Sequence, residues 1–97
     1  MMLGADGLLI DSHGTPRGSA EAFAARVPAV MTAANQLGGP ADAGSAELIL
    51  AEFEDGYGVI LRLTDHVMLF VSAAADIALG ELLFDLRRHR AAMAELV

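Results

Sequence analysis

The sequence contains no cysteine, which excludes disulfides and thiolate metal sites. It contains no lysine either, since all six basic residues are arginine, and a phosphate-binding GxxxxGK[ST] loop cannot be built without one. Long apolar runs are also missing. A stretch such as Val67 to Ala75 falls far below the roughly 18 to 20 residues needed to span a bilayer, so membrane insertion is not expected. The first residues lack the basic and apolar regions of a secretory signal, and together with the absent cysteine this predicts a cytoplasmic location. Positive charge is scarce: the formal net charge is -7. Such a field repels the phosphates of nucleic acid and of anionic membrane surfaces, so neither is expected as a partner.

What is present is apolar. Hydrophobic residues make up 55% of the 97 residues and mean hydropathy is +0.48, above the globular norm. A chain of this length builds one core, so residues 1–97 are expected to form a single domain. The surplus apolar surface is most simply buried against another subunit.

Turn chemistry divides the chain. Met1-Met2-Leu3 and Leu8-Leu9-Ile10 flank the turn-rich Gly4-Ala5-Asp6-Gly7 and predict a hairpin. Asp11 to Gly18 predicts a loop. Ser19 is a candidate cap, with Glu21 near the positive end, for a helix from Ala20 to Leu37, ended by Gly38-Gly39-Pro40. Its expected core face is Ala20, Phe23, Val27, Val30, Ala34 and Leu37, and Pro28 inside it predicts a kink. From Ala46 to Ala73 three segments separated by Asp55-Gly56 and Thr64-Asp65-His66 predict an antiparallel meander. Both faces of its strands are apolar, so both need cover. Asp76 can cap a last helix whose Leu79, Leu82, Leu83, Leu86, Met93 and Leu96 share a face.

Candidate chemistry is thin. His13, His66 and His89 lack ligand spacing. Asp11-Ser12-His13 resembles a triad only as letters, because adjacent residues cannot take the required orientation. Gly56-Tyr57-Gly58 reads as a hairpin turn, and Glu52, Glu54 and Asp55 as a solvated strand end. No catalytic residue, metal site or cofactor is expected, and the chain is predicted not to be an enzyme. Arg87, Arg88 and Arg90 form the one basic cluster, either a solvated helix end or a surface for an acidic partner or a phosphate.

The order hairpin, helix, three-stranded meander, helix carries the phrases Gly4-Ala5-Asp6-Gly7-Leu8-Leu9-Ile10 and Ser19-Ala20-Glu21-Ala22-Phe23-Ala24-Ala25. It also carries Glu52 to Glu54 before Asp55-Gly56-Tyr57, and Leu79-Gly80-Glu81-Leu82. In that order these resemble the roadblock / dynein light chain family over nearly the whole chain. The resemblance implies an α+β fold with profilin-like architecture: an antiparallel sheet of about five strands sandwiched by helices, β-β-α-β-β-β-α in this chain. The family's N-terminal helix has no counterpart before Met1.

The resemblance further implies homodimers in which the middle helix lies against its mate and the following strand pairs edge to edge. It also implies binding of a small Ras-like GTPase, or scaffolding of a signalling or motor complex. On the middle helix, Ala22, Ala25, Ala29 and Ala33 form a ridge of small side chains. Such a ridge suits close helix approach or merely a solvated face; the resemblance favours the dimer seam. The strand bearing Glu47, Ile49, Ala51 and Phe53 reads as a pairing edge, as an edge protected by its glutamates or as an interior strand; the resemblance favours pairing. A small-molecule sensing module, with the extra apolar face lining a pocket, and a purely structural scaffold subunit are the alternatives.

Overall fold

Gly7 adopts a φ of +86°, which glycine tolerates and side-chain-bearing residues resist. It reverses the chain between β1 (Met2–Gly4) and β2 (Leu9–Asp11). Gly7 N donates to Gly4 O at 3.0 Å, and Gly4 N to Leu8 O at 2.9 Å. The computed structural model describes residues 1–14 and 17–97, so Thr15 and Pro16 of the expected loop lie outside the described residues.

The middle helix, α1, runs Arg17–Gly38 and continues on both sides of Pro28. It begins before the expected Ala20, so Ser19 lies inside the first turn and is not its cap. Proline supplies no N–H, so the Ala24 carbonyl loses its helical donor, and here the backbone of Gly7 comes close. A Cβ on Gly7 would stand 3.3 Å from Ala24 O and 3.2 Å from Pro28 Cγ.

The meander forms as β3 (Leu48–Phe53), β4 (Gly56–Arg62) and β5 (Val67–Ala74), followed by α2 (Leu79–Glu95). Glu54-Asp55 is the tight turn, because Phe53 and Gly56 already face each other in the ladder; Gly56-Tyr57-Gly58 is therefore strand and not turn. The second turn is held by Thr64, whose Oγ1 accepts from the N–H groups of His66 and Val67, both at 3.1 Å.

The five strands form one antiparallel sheet in the order β2-β1-β5-β4-β3. Alternation sends neighbouring rows to opposite faces. Leu3, Ile60 and Met68 pack with Ala24, Val27 and Met31 of α1. Val59, Leu61 and Leu63 pack with Leu82, Leu83, Leu86 and Met93 of α2 on the other face. Each face has its own helix, which explains why neither is polar.

Several details differ from the periodicity. The face α1 buries is Ala20, Ala24, Val27 and Met31, whereas Phe23, Val30 and Leu37 are exposed. Small residues at positions 20 and 24 let the helix sit close to the sheet. Phe23, Val30 and Leu37, spaced every seven residues, form a stripe along one flank. Asp76 does not cap α2: Ala78 holds that position without a side-chain hydrogen bond. Leu96 lies past the end of α2 and is exposed rather than packed.

Candidate interaction surface

β3 is an end strand of the sheet, hydrogen-bonded among the described residues to β4 alone. Its sequence LILAEF has no proline and no lysine, and its register against β4 is unbroken. Proline, lysine and a bulge, which commonly protect an edge, are thus all missing from β3, and Glu52 is its one charged residue. The side chains of Ile49 and Ala51 point toward α1 and are half-buried, while Leu50 and Phe53 are 41% and 64% exposed. Glu47 lies just before the strand and is engaged within the chain, 3.7 Å from Arg62 and 3.5 Å from Arg90. Asn35 Oδ1 accepts from Ala46 N at 2.7 Å and so fixes where the strand begins beneath α1.

Of the helix ridge, Ala22, Ala25, Ala29 and Ala33 are all exposed. They do not share one setting. Ala25 sits on the flank beside the β1–β2 turn, where a Cβ on Gly7 would be 3.4 Å from its Cα. The opposite flank carries Phe23 and Val30 and looks onto β3. Between Phe23, Val30 and Phe53 lies an open apolar groove of about 440 Å³. Gly58 makes its floor: a Cβ there would meet the Phe53 and Phe70 rings at 3.4 Å. Phe23 closes one side by stacking on Phe70, centroids 5.7 Å apart. Arg26 and Asp55 add one charge of each sign to the lining.

The arginine cluster of α2 is split by its partners. Arg90 turns inward, donating from Nε to Arg62 O at 2.7 Å. Arg88 pairs with Asp85 at 3.2 Å and lies 5.5 Å over the exposed Phe84 ring. Arg87 has no ion-pair partner among the described residues; with Arg90, Glu47, Leu48 and Leu61 it lines an open cavity of about 480 Å³ beside β3. On the same face of the sheet Tyr57 stands opposite Glu52. Hydrogen bonding to the Glu52 carboxylate, and then its negative charge, push the Tyr57 phenol above its ordinary 10.0.

The histidines do not converge, and among the described residues no group of three or more histidines and carboxylates could hold a metal ion. No helix among them is long and apolar enough to cross a membrane. Phe23, Val30 and Leu50 were not among the expected surface residues. The seven-residue spacing of Phe23, Val30 and Leu37 was the available signal.

Compared with known proteins, residues 1–73 match the family model of the Roadblock/LC7 domain. No curated protein matches the sequence. Among solved structures, a Roadblock/LC7 domain from Streptomyces avermitilis is 21% identical, with a TM-score of 0.80 over 96% of this chain and 74% of that one. Myxococcus xanthus MglB is 14% identical, with a TM-score of 0.86 over 98% of this chain and 78% of that one. A structure of MglB with a tetrameric arrangement, also 14% identical, gives 0.81 over 97% and 72%. At these TM-scores the three structures share the overall fold of this chain.

Proposed function

The chain belongs to the Roadblock/LC7 domain family, and from that premise we propose that it is a non-catalytic, cytoplasmic, homodimeric adaptor that regulates a small Ras-like GTPase. The observation that carries the reading is the β3 edge, free of proline, lysine and bulge, lying beside an exposed apolar helix flank. An apolar edge strand left in water pairs with another chain, and here the flank of α1 would be covered by the same event. The surface area supports it: a compact monomer of this mass exposes about 5,300 Å², and this chain exposes 6245 Å². The excess is of the size that one partner buries in a stable interface, about 800 Å².

The GTPase is proposed from the family resemblance, and the chain's part is to position the partner's switch loops rather than to supply a reacting group. Light scattering at micromolar concentration, followed by binding measurements against Ras-like GTPases loaded with GDP or a GTP analogue, tests both halves. A monomer, or a dimer that binds no such GTPase in either state, removes the corresponding half.

One observation favours a second reading, a small-molecule sensor. The groove between Phe23, Val30, Phe53, Ile60 and Phe70 is apolar and of ligand size. Thermal stabilisation by a metabolite with no change in oligomeric state would select it.

A further inference from the structure

Arg88 and Arg90 are satisfied within the chain, whereas Arg87 projects unpaired, among the described residues, into the cavity beside Leu48. An arginine left free on a chain of net charge -7 is matched most readily by a carboxylate brought from outside. The adjoining strand edge decides which carboxylate that is.

Leu48, Leu50 and Glu52 share the face of β3 that looks toward α2: they stand opposite Leu61, Val59 and Tyr57, and Val59 and Leu61 belong to the core beneath that helix. In an antiparallel ladder, directly opposite residues point to the same side. Two copies of β3 joined about a two-fold axis therefore set even-numbered residues against even-numbered ones. A ladder centred on Leu50 lays that exposed leucine on its mate and places Leu48 opposite Glu52. Centring on Ala51 would press Leu50 against a glutamate. Centring on Ile49 would leave Glu52 and Phe53 beyond the partner strand. The first register matches apolar with apolar and brings Glu52 to the mouth of the Arg87 cavity.

We infer that the partner of Arg87 is Glu52 of a second copy, paired across the β3 seam twice by symmetry, and that these two ion pairs fix the register of the joined sheets. The inference rests on the homodimer proposed above. Glu52 lies on this face directly opposite Tyr57, with its carboxylate exposed at the sheet edge and open to a guanidinium. Two copies of so acidic a chain repel at long range, so attraction has to be supplied locally at the seam.

The test is sedimentation equilibrium on the full chain, comparing the unaltered protein with Arg87→Glu, Glu52→Arg and the double exchange. Each single reversal replaces two attractions by two repulsions and is expected to weaken the dimer about tenfold or more. The double exchange is expected to recover most of that loss. Both side chains are exposed, so circular dichroism should be unchanged; Arg87→Gln with Glu52→Gln serves as a milder second set. Register is read independently with Leu50→Cys, the sole thiol in the chain, because residues facing each other across the axis have Cβ atoms about 4.5 to 5.5 Å apart, near disulfide reach. Oxidation should link the copies through position 50 and not through Glu52→Cys.

An unaltered chain that stays monomeric overturns the homodimer and the ion pair together. A dimer indifferent to the single reversals, or one that the double exchange fails to rescue, overturns the pair and leaves the homodimer standing. A dimer that Leu50→Cys cannot link overturns the register.

Discussion

Arg90 Nε donates to the backbone oxygen of Arg62 over 2.7 Å, and the same guanidinium reaches Glu47 at 3.5 Å. One side chain thus fastens α2 to the last residue of β4 and to the lead-in of β3. Arg62 completes the cluster from the other side through Asp65 at 3.2 Å. An arginine in the candidate partner-binding group is in this way committed to the fold.

Arg90→Ala is accordingly expected to lower stability by about 1 to 2 kcal/mol, because a charge-assisted hydrogen bond is lost and the Arg62 carbonyl beneath the helix is left without its donor. Denaturant unfolding should show a lower midpoint at unchanged slope. Arg87→Ala, which removes no ion pair or hydrogen bond among the described residues, should leave that midpoint nearly where it was. Equal effects at the two positions would show that Arg90 is not the anchor.

Gly7→Ala is expected to cost about 1 to 3 kcal/mol. The added methyl group meets a backbone held at φ +86° and approaches Ala24 O, Pro28 Cγ and Ala25 Cα at 3.2 to 3.4 Å, so strain and crowding act together. Gly14→Ala separates the two terms, since φ there is +79° but nothing among the described residues lies within 4 Å. Thermal unfolding should rank Gly7→Ala as the more destabilised. The reverse order would mean that the turn does not rest on the helix.

Tyr57 is the only tyrosine and tryptophan is absent, so tyrosinate absorbance follows one group. Its midpoint should lie above 10.0 because the neutral hydroxyl donates to Glu52. In Glu52→Gln it should fall back toward 10.0. A raised folded value means that any contribution to stability is fully present below the unfolded pKa and is lost as pH climbs through the folded one. A midpoint identical in both proteins would remove the hydrogen bond.

The order of elements was legible because it depends on local chemistry. Glycine and aspartate punctuate the hairpins, Gly38-Gly39-Pro40 stops α1, and alternating apolar residues mark three strands. The faces of α1 were not legible to the same degree. With apolar residues all round that helix, periodicity fits several faces, and Phe23, Val30 and Leu37 looked as good a core as Ala24 and Met31. Only the sheet, by accepting the small residues closely, separates the two sets. The fate of the arginine cluster was equally hidden, since Arg90 finds its acceptor 28 residues away.

What the residues specify along the chain, then, is where it turns, where it coils and that both sides of the sheet need cover. Which flank of α1 overlooks the β3 edge and which arginine of the α2 cluster stays free are settled only when distant segments pack. Hydrogen-bond ladders and ion pairs are contacts between partners, and a partner far along the chain leaves no periodic trace in the letters that precede it.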